Sequence, residues 1–356
     1  MFLSQKQISF SSSLPILLLT IFSALATANN ATFPSIIVFG DSIMDPGNSN
    51  YISTIAKGNF LPYGKNFQEG KPTGRFSDGK IPSDFAAEIF GIKELLPAYL
   101  DPNLQLQDLL TRVSFASGGT GYDPLTAQIV SVLSFSNQLR LFKEYKEKLK
   151  SAMGEEKTTE FLSEALFMVC AGSNDITVTY FITPFRKVIF NIDSYTDFMT
   201  MLALQFFKEL YELGARRIAV SGVPSIGCIP SQRTLKGDKT RNCAEDINHA
   251  ASLFNSKLSN QVDSLKKSLT GLKAAYFDAY NPSLSMIQNP QKYGFEEVNK
   301  GCCGAGEIEV GILCNPLSKT CNDSSKFIFW DSFHPTEAAY KILSSKILTR
   351  HLDELL

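Results

Sequence analysis

The sequence predicts an α/β fold in which one parallel sheet is covered by helices on both faces. Three observations carry this. Short apolar runs alternate along the chain with longer segments of helical period. The first run, Ser35-Ile36-Ile37-Val38, is β-branched and stops at Phe39-Gly40, as a buried strand opening into a loop does. Nothing resembling a linker or an internal repeat divides the chain, so one domain is expected over residues 29–356.

The elements follow in order. Residues 50–101 are rich in Gly and Pro and read as a long decorated loop region with one helical piece near Ser83-Asp84-Phe85-Ala86-Ala87-Glu88-Ile89. Loops of that length are often functional, so part of it is expected to wall a site. Val113-Ser114-Phe115-Ala116 reads as the second strand, ended by Ser117-Gly118-Gly119-Thr120-Gly121. A helix through Leu139, Phe142 and Leu149 follows. Residues 165–171 form the third strand, which Gly172-Ser173-Asn174-Asp175 ends. The next helix spans residues 195–213 and closes at Gly214. Arg217-Ile218-Ala219-Val220 is the fourth strand. Ile247, Ala251, Phe254, Leu258, Val262, Leu265 and Leu269 mark the clearest helix, and Lys273-Ala274-Ala275-Tyr276-Phe277 the fifth strand. After the cysteine loops come Phe327-Ile328-Phe329-Trp330 and a last helix with Ala339, Ile342, Leu343 and Ile347 on one face.

The N-terminus reads as a secretory signal. Lys6 precedes the apolar run Leu14-Pro15-Ile16-Leu17-Leu18-Leu19-Thr20-Ile21-Phe22, and Ala24, Ala26 and Ala28 supply small residues for cleavage after Ala28. The run falls short of the ~20 apolar residues a membrane span needs, so residues 1–28 are expected to be removed and the remainder exported. Cysteine usage agrees. Cys170 sits in an apolar strand as a small buried thiol, while Cys228, Cys243, Cys302, Cys303, Cys314 and Cys321 cluster late, as three disulfides would. Cys228–Cys243 is the favoured local staple, with Cys302 and Cys303 pairing among Cys314 and Cys321. Adjacent Cys302-Cys303 and the lack of a C-x-x-C pair argue against zinc. Asn322-Asp323-Ser324 and Asn30-Ala31-Thr32 are glycosylation acceptors by pattern, Asn322 the better placed. The formal net charge of −1 argues against a general electrostatic attraction to nucleic acid or an anionic membrane.

Four strand ends carry chemistry. In a parallel α/β sheet these loops lie on one edge, where ligands bind. Ser42, in Gly40-Asp41-Ser42, is a turn or cap serine on its own and a nucleophile if a histidine reaches it. Of the three histidines, His249 lies off its helix's apolar stripe and His351 near the C-terminus. His334 sits in Asp331-Ser332-Phe333-His334-Pro335, where Asp331 is spaced to hold the imidazole. The competing reading makes His334 a helix-start residue with Asp331 as a cap. Gly118 and Gly119 allow close backbone approach to a substrate, and Asn174 offers an amide donor for a developing oxyanion. Gly222-Val223-Pro224-Ser225-Ile226-Gly227 has one residue too many before the serine for a G-x-S-x-G elbow.

With Phe39-Gly40-Asp41-Ser42, Ser117-Gly118-Gly119, Gly172-Ser173-Asn174-Asp175 and Asp331-Ser332-Phe333-His334-Pro335 in this order, the chain resembles the GDSL lipases and esterases of the SGNH hydrolase superfamily. It is most similar to the large plant branch and its extracellular-lipase group. The resemblance implies a three-layer, flavodoxin-like α/β/α fold with a mostly parallel five-stranded sheet. It also implies a secreted serine hydrolase acting on acyl or lipid esters, without metal or organic cofactor. Carried over by position, Ser42 is the nucleophile, His334 the base and Asp331 its orienting acid, which leaves Asp41 to shape the turn. The Ser42 N–H, the Gly119 N–H and the Asn174 side chain form the oxyanion hole, with Gly118 as the alternative to Gly119. An acyltransferase using the same acyl-enzyme and a catalytically silent binding protein are the rival readings. The chain departs from the family's usual pattern at Ile43, where Leu is usual, and at Ser114, where the second block opens with Asn.

Overall fold

Five strands, β1 (Ile36–Gly40), β2 (Arg112–Ser114), β3 (Leu166–Cys170), β4 (Arg217–Ser221) and β5 (Lys273–Phe277), form a sheet in the order β2-β1-β3-β4-β5. Every pairing in it is parallel. This is a computed structural model, and it describes residues 32–92, 95–304 and 314–356. The expected signal peptide and Asn30 lie outside them. Gly40, Cys170, Ser221 and Phe277 stand side by side in register, so the loops leaving β1, β3, β4 and β5 emerge along one edge.

The helices are α1 (Pro82–Ile89), α2 (Leu106–Leu109), α3 (Pro124–Val130), α4 (Phe135–Met153), α5 (Glu155–Glu164), α6 (Ile192–Glu212), α7 (Pro230–Lys236), α8 (Glu245–Ser268), α9 (Tyr280–Gln288) and α10 (Glu337–Leu348). Strand side chains alternate between faces. Ile37, Phe39, Phe167, Val169, Ile218 and Val220 point to one side, into a large core with the apolar stripes of α4, α6 and α8. Phe39 sits at its centre, with Phe115, Phe142, Phe167 and Phe206 around it. Ile36, Val38, Met168, Cys170, Ala219, Ala275 and Phe277 point to the other side, toward α1 and the end of α10. Helices therefore cover both faces of the sheet.

The sequence reading lacks the short helices α2, α3, α7 and α9, and also α5 and β6. The polar helix α5 buries only Thr158 and Leu162, too little for a visible stripe. β6 (Glu297–Gly301) is half-exposed and becomes a strand by pairing in parallel with β7 (Phe327–Phe329), outside the main sheet. Disulfides join Cys228 to Cys243, Cys302 to Cys321 and Cys303 to Cys314, and Cys170 is a buried free thiol. Among the described residues, no helix is long and apolar enough to cross a membrane.

The long region between β1 and β2 carries α1 and α2 and is braced by a buried ion pair. Arg75 grips both oxygens of Asp84 at 2.7 Å and also donates to the Pro46 and Leu96 carbonyls. Asp84 in turn accepts from the Ile81 and Leu96 N–H groups. Both side chains are buried. Removing one partner strands the other's charge away from water, so Arg75→Ala is expected to lower unfolding stability by about 3–5 kcal/mol in urea titration. A loss under about 1 kcal/mol would show the pair to be dispensable.

Candidate active site

The site begins where β1 must end. Gly40 has φ +142, and a Cβ there would lie 2.1 Å from the Cys170 carbonyl oxygen, so only glycine lets β1 run this close to β3 and then turn. The buried Gln138 side chain of α4 clamps the same residue, accepting from the Gly40 N–H (3.0 Å) and donating to its carbonyl (2.9 Å). In the turn, Asp41 accepts from the Ile43 N–H at 3.0 Å, leaving Ser42 at the sheet edge. The Asp41 carboxyl is buried, its second oxygen has no partner, and burial pushes its pKa up to about 7 against the pull of the Ile43 N–H and the His334 charge.

Ser42 Oγ lies 2.8 Å from His334 Nε2. On the ring's far side, Nδ1 lies 3.0 and 2.9 Å from the two oxygens of Asp331. Asp331 also accepts from the Phe333 and His334 N–H groups and from the Tyr63 hydroxyl at 2.7 Å. Burial alone would raise the pKa of this carboxyl. The facing imidazole and these hydrogen bonds outweigh burial and hold it below the usual carboxylate range. An ionised Asp331 fixes the proton on Nδ1 and leaves Nε2 free to accept from the serine. Asp41, adjacent to the serine, makes no such contact.

Sequence reasoning missed several groups that support these residues. Tyr63 and Phe76 both come from the 50–101 region. Tyr63 packs edge-on against Trp330, and Phe76 stacks on the His334 ring with centroids 5.1 Å apart. Ser77 donates to the Pro335 carbonyl, and Asp78 accepts from the Glu337 N–H, so the same loop holds the start of α10. The disulfide-bearing β6 end is tied to the acid's strand through Cys302 N–H to the Phe329 carbonyl and Cys303 N–H to that of Trp330.

The second and third blocks meet beside Ser42. The Gly118 N–H is consumed by Asp45 (3.0 Å) and Ser49 (3.1 Å), whereas the Gly119 N–H, at φ +90, has no acceptor among the described residues. The Ser42 N–H likewise has none. Asn174 donates one amide hydrogen to the Thr120 carbonyl at 3.0 Å, and its amide carries a second. Asp175 gathers the Tyr122 and Asp123 N–H groups and the Thr126 hydroxyl, which locks the glycine loop against β3. Of the other histidines, His249 is exposed and His351 pairs with Glu354. Ser225 is buried and bonded to Ser283. Among the described residues no cluster of His, Cys, Asp and Glu could hold a metal ion.

Residues 36–347 match the GDSL-like Lipase/Acylhydrolase family. The GDSL esterase/lipase EXL3 of Arabidopsis thaliana is 52% identical over 322 residues, covering 90% of this chain and 88% of that protein. The chain belongs to the GDSL family. A second Arabidopsis thaliana relative, GDSL esterase/lipase At1g20120, is 52% identical over 321 residues, 90% of this chain and 80% of that one. Among solved structures, an extracellular lipase from Streptomyces rimosus aligns over 88% of this chain and 99% of its own, at 13% identity and a TM-score of 0.41. The protein is thus a carboxylic ester hydrolase of the GDSL type. Where GDSL relatives usually carry Asn at the head of the second block, Ser114 here donates to the Met44 carbonyl and accepts from the Ala116 N–H. Asn48 adds a brace, donating to the Ser114 and Ala116 carbonyls, so the glycine loop is held from the first block instead.

Two outcomes follow from these supports. Gln138→Leu leaves the buried Gly40 N–H without an acceptor and should cost about 1–3 kcal/mol of stability, together with a fall in kcat. Unchanged melting and turnover would show the clamp to be idle. Asp41 binds its proton more tightly folded than unfolded, so its contribution is fully present below pH ~4 and is lost as pH rises through about 7. Asp41→Asn, neutral at every pH, should lose a few kcal/mol less than wild type over that window. Parallel pH–stability curves for the two would remove the buried titration.

Proposed function

We propose that the protein hydrolyses acyl esters through Ser42, His334 and Asp331, with the Ser42 N–H, the Gly119 N–H and the Asn174 amide as the oxyanion hole. The observation that carries this is the continuous hydrogen-bonded line from Ser42 Oγ through His334 to the buried Asp331. Ser42 attacks the ester carbonyl as Nε2 takes its proton, forming the bond from Oγ to carbon and placing the negative charge on the carbonyl oxygen. Collapse expels the alcohol, which His334 protonates. Water, deprotonated by the same nitrogen, then releases the acid from Ser42. Donors that need no rearrangement are commonly worth about 3 kcal/mol each to this oxyanion. The engagement of the Gly118 N–H within the loop supports Gly119 as the donor of the pair.

Residues 1–28 are read as a cleaved signal and residues 29–356 as a single hydrolase domain exported from the cell. The N-terminal pattern and the disulfides, which suit an oxidising compartment, support this. Asn322 is exposed and available for glycosylation.

A fluorophosphonate probe should label the wild-type protein and not Ser42→Ala. Asp331→Asn should lower kcat on p-nitrophenyl butyrate on the order of 10⁴-fold, and Asn174→Ala roughly 10²–10³-fold. Labelling that survives in Ser42→Ala would overturn the assignment.

A further inference from the structure

An apolar cavity of about 150 Å³ starts at the reacting atoms and continues into the α10 side of the protein. Ser42, Asn174 and His334 line its outer part. Further in, one wall is the sheet: Met168 and Cys170 of β3, Ala219 and Ser221 of β4, and Phe277 of β5. These are alternate positions on adjacent strands, hence one face. The opposite wall is Tyr340, Leu343, Ser344, Ile347 and Leu348, spaced as a single stripe of α10. From Tyr340 to Leu348 the helix rises ~12 Å, and Met168 and Ala219 lie two residues deeper along their strands than Cys170 and Ser221.

The space exists because of side-chain size. On the opposite face the same strands carry Phe167, Val169, Ile218 and Val220, at most 1% exposed. On the α10 face, Met168, Cys170 and Ala219 keep 5%, 7% and 3% exposure in mid-sheet, the accessibility of residues that border a void. The exposed lining of the cavity is mainly apolar, which favours an apolar guest.

We propose that this cavity is the acyl subsite, that it takes an unbranched aliphatic chain of medium length threaded between β3–β5 and α10, and that Ala219 and Ser344, on its two walls, set the length admitted. This rests on Ser42 being the nucleophile. The acyl group, not the alcohol, belongs here because it stays bonded to Oγ after the first half-reaction. The alcohol must leave, and a recess closed by sheet and helix would trap it.

The test is the ratio of kcat/KM on p-nitrophenyl decanoate to that on the acetate. Each buried methylene is worth roughly fourfold, so wild type should favour the decanoate by at least tenfold. Ala219→Phe should cut that ratio tenfold or more. Ser344→Met, from the opposite wall, and the milder Ala219→Val should each lower it several-fold, with cooperative thermal melting confirming that the variants are folded. A ratio unchanged in the folded variants would overturn the subsite while leaving the hydrolase reading intact. Decanoic acid binding to Ser42→Ala, followed by calorimetry, separates the two failures. Absence of fluorophosphonate labelling in wild type would defeat the hydrolase reading. Binding that is equally tight with and without Ala219→Phe would defeat the subsite.

Discussion

The Asp331 carboxylate is the point on which the rest of the site hangs. Buried completely, it stays ionised because it collects donors from three directions: the backbone of its own loop, the His334 ring and the Tyr63 hydroxyl. A buried carboxylate without such donors would take up a proton, and a neutral acid would release the imidazole from a single tautomer. The surrounding architecture is arranged to keep those donors in place. The β6–β7 pair with its disulfides holds the chain that carries Asp331, and the Arg75–Asp84 pair anchors the loop that brings Tyr63 and Phe76.

The two faces of the sheet divide the work of the molecule. The face toward α4, α6 and α8 is filled with buried aromatic rings in mutual contact. On the face toward α10, the smaller Ala219, Cys170 and Ser221 border the cavity that opens at Ser42. The strand period makes this division possible, because neighbouring positions on one strand belong to different faces.

How much of this was legible in the sequence depended on distance along the chain. Ser42, Asp331 and His334 could be read because histidines are scarce and because Asp-x-x-His is complete within one loop. The parallel sheet and the helices on both its faces could be read from periodicity. Tyr63 and Gln138 could not, since Tyr63 meets Asp331 across 268 residues and Gln138 meets Gly40 across 98. Nothing local distinguishes either from any other core residue. The Gly118–Gly119 choice was open for a similar reason: only the positions of Asp45 and Ser49 show which N–H is already committed. The cavity left no trace because an apolar stripe on α10 looks the same whether it packs against a sheet or lines a void.

Ser42 and His334, the proposed nucleophile and base, stand 292 residues apart along the chain. As the polypeptide emerges from the ribosome, Ser42 and the strand beneath it appear early, yet the imidazole that meets the serine appears almost last. A partly synthesised chain therefore carries an ordinary alcohol. The hydrogen-bonded line from Ser42 to Asp331 exists only once the C-terminal segment has docked on the sheet.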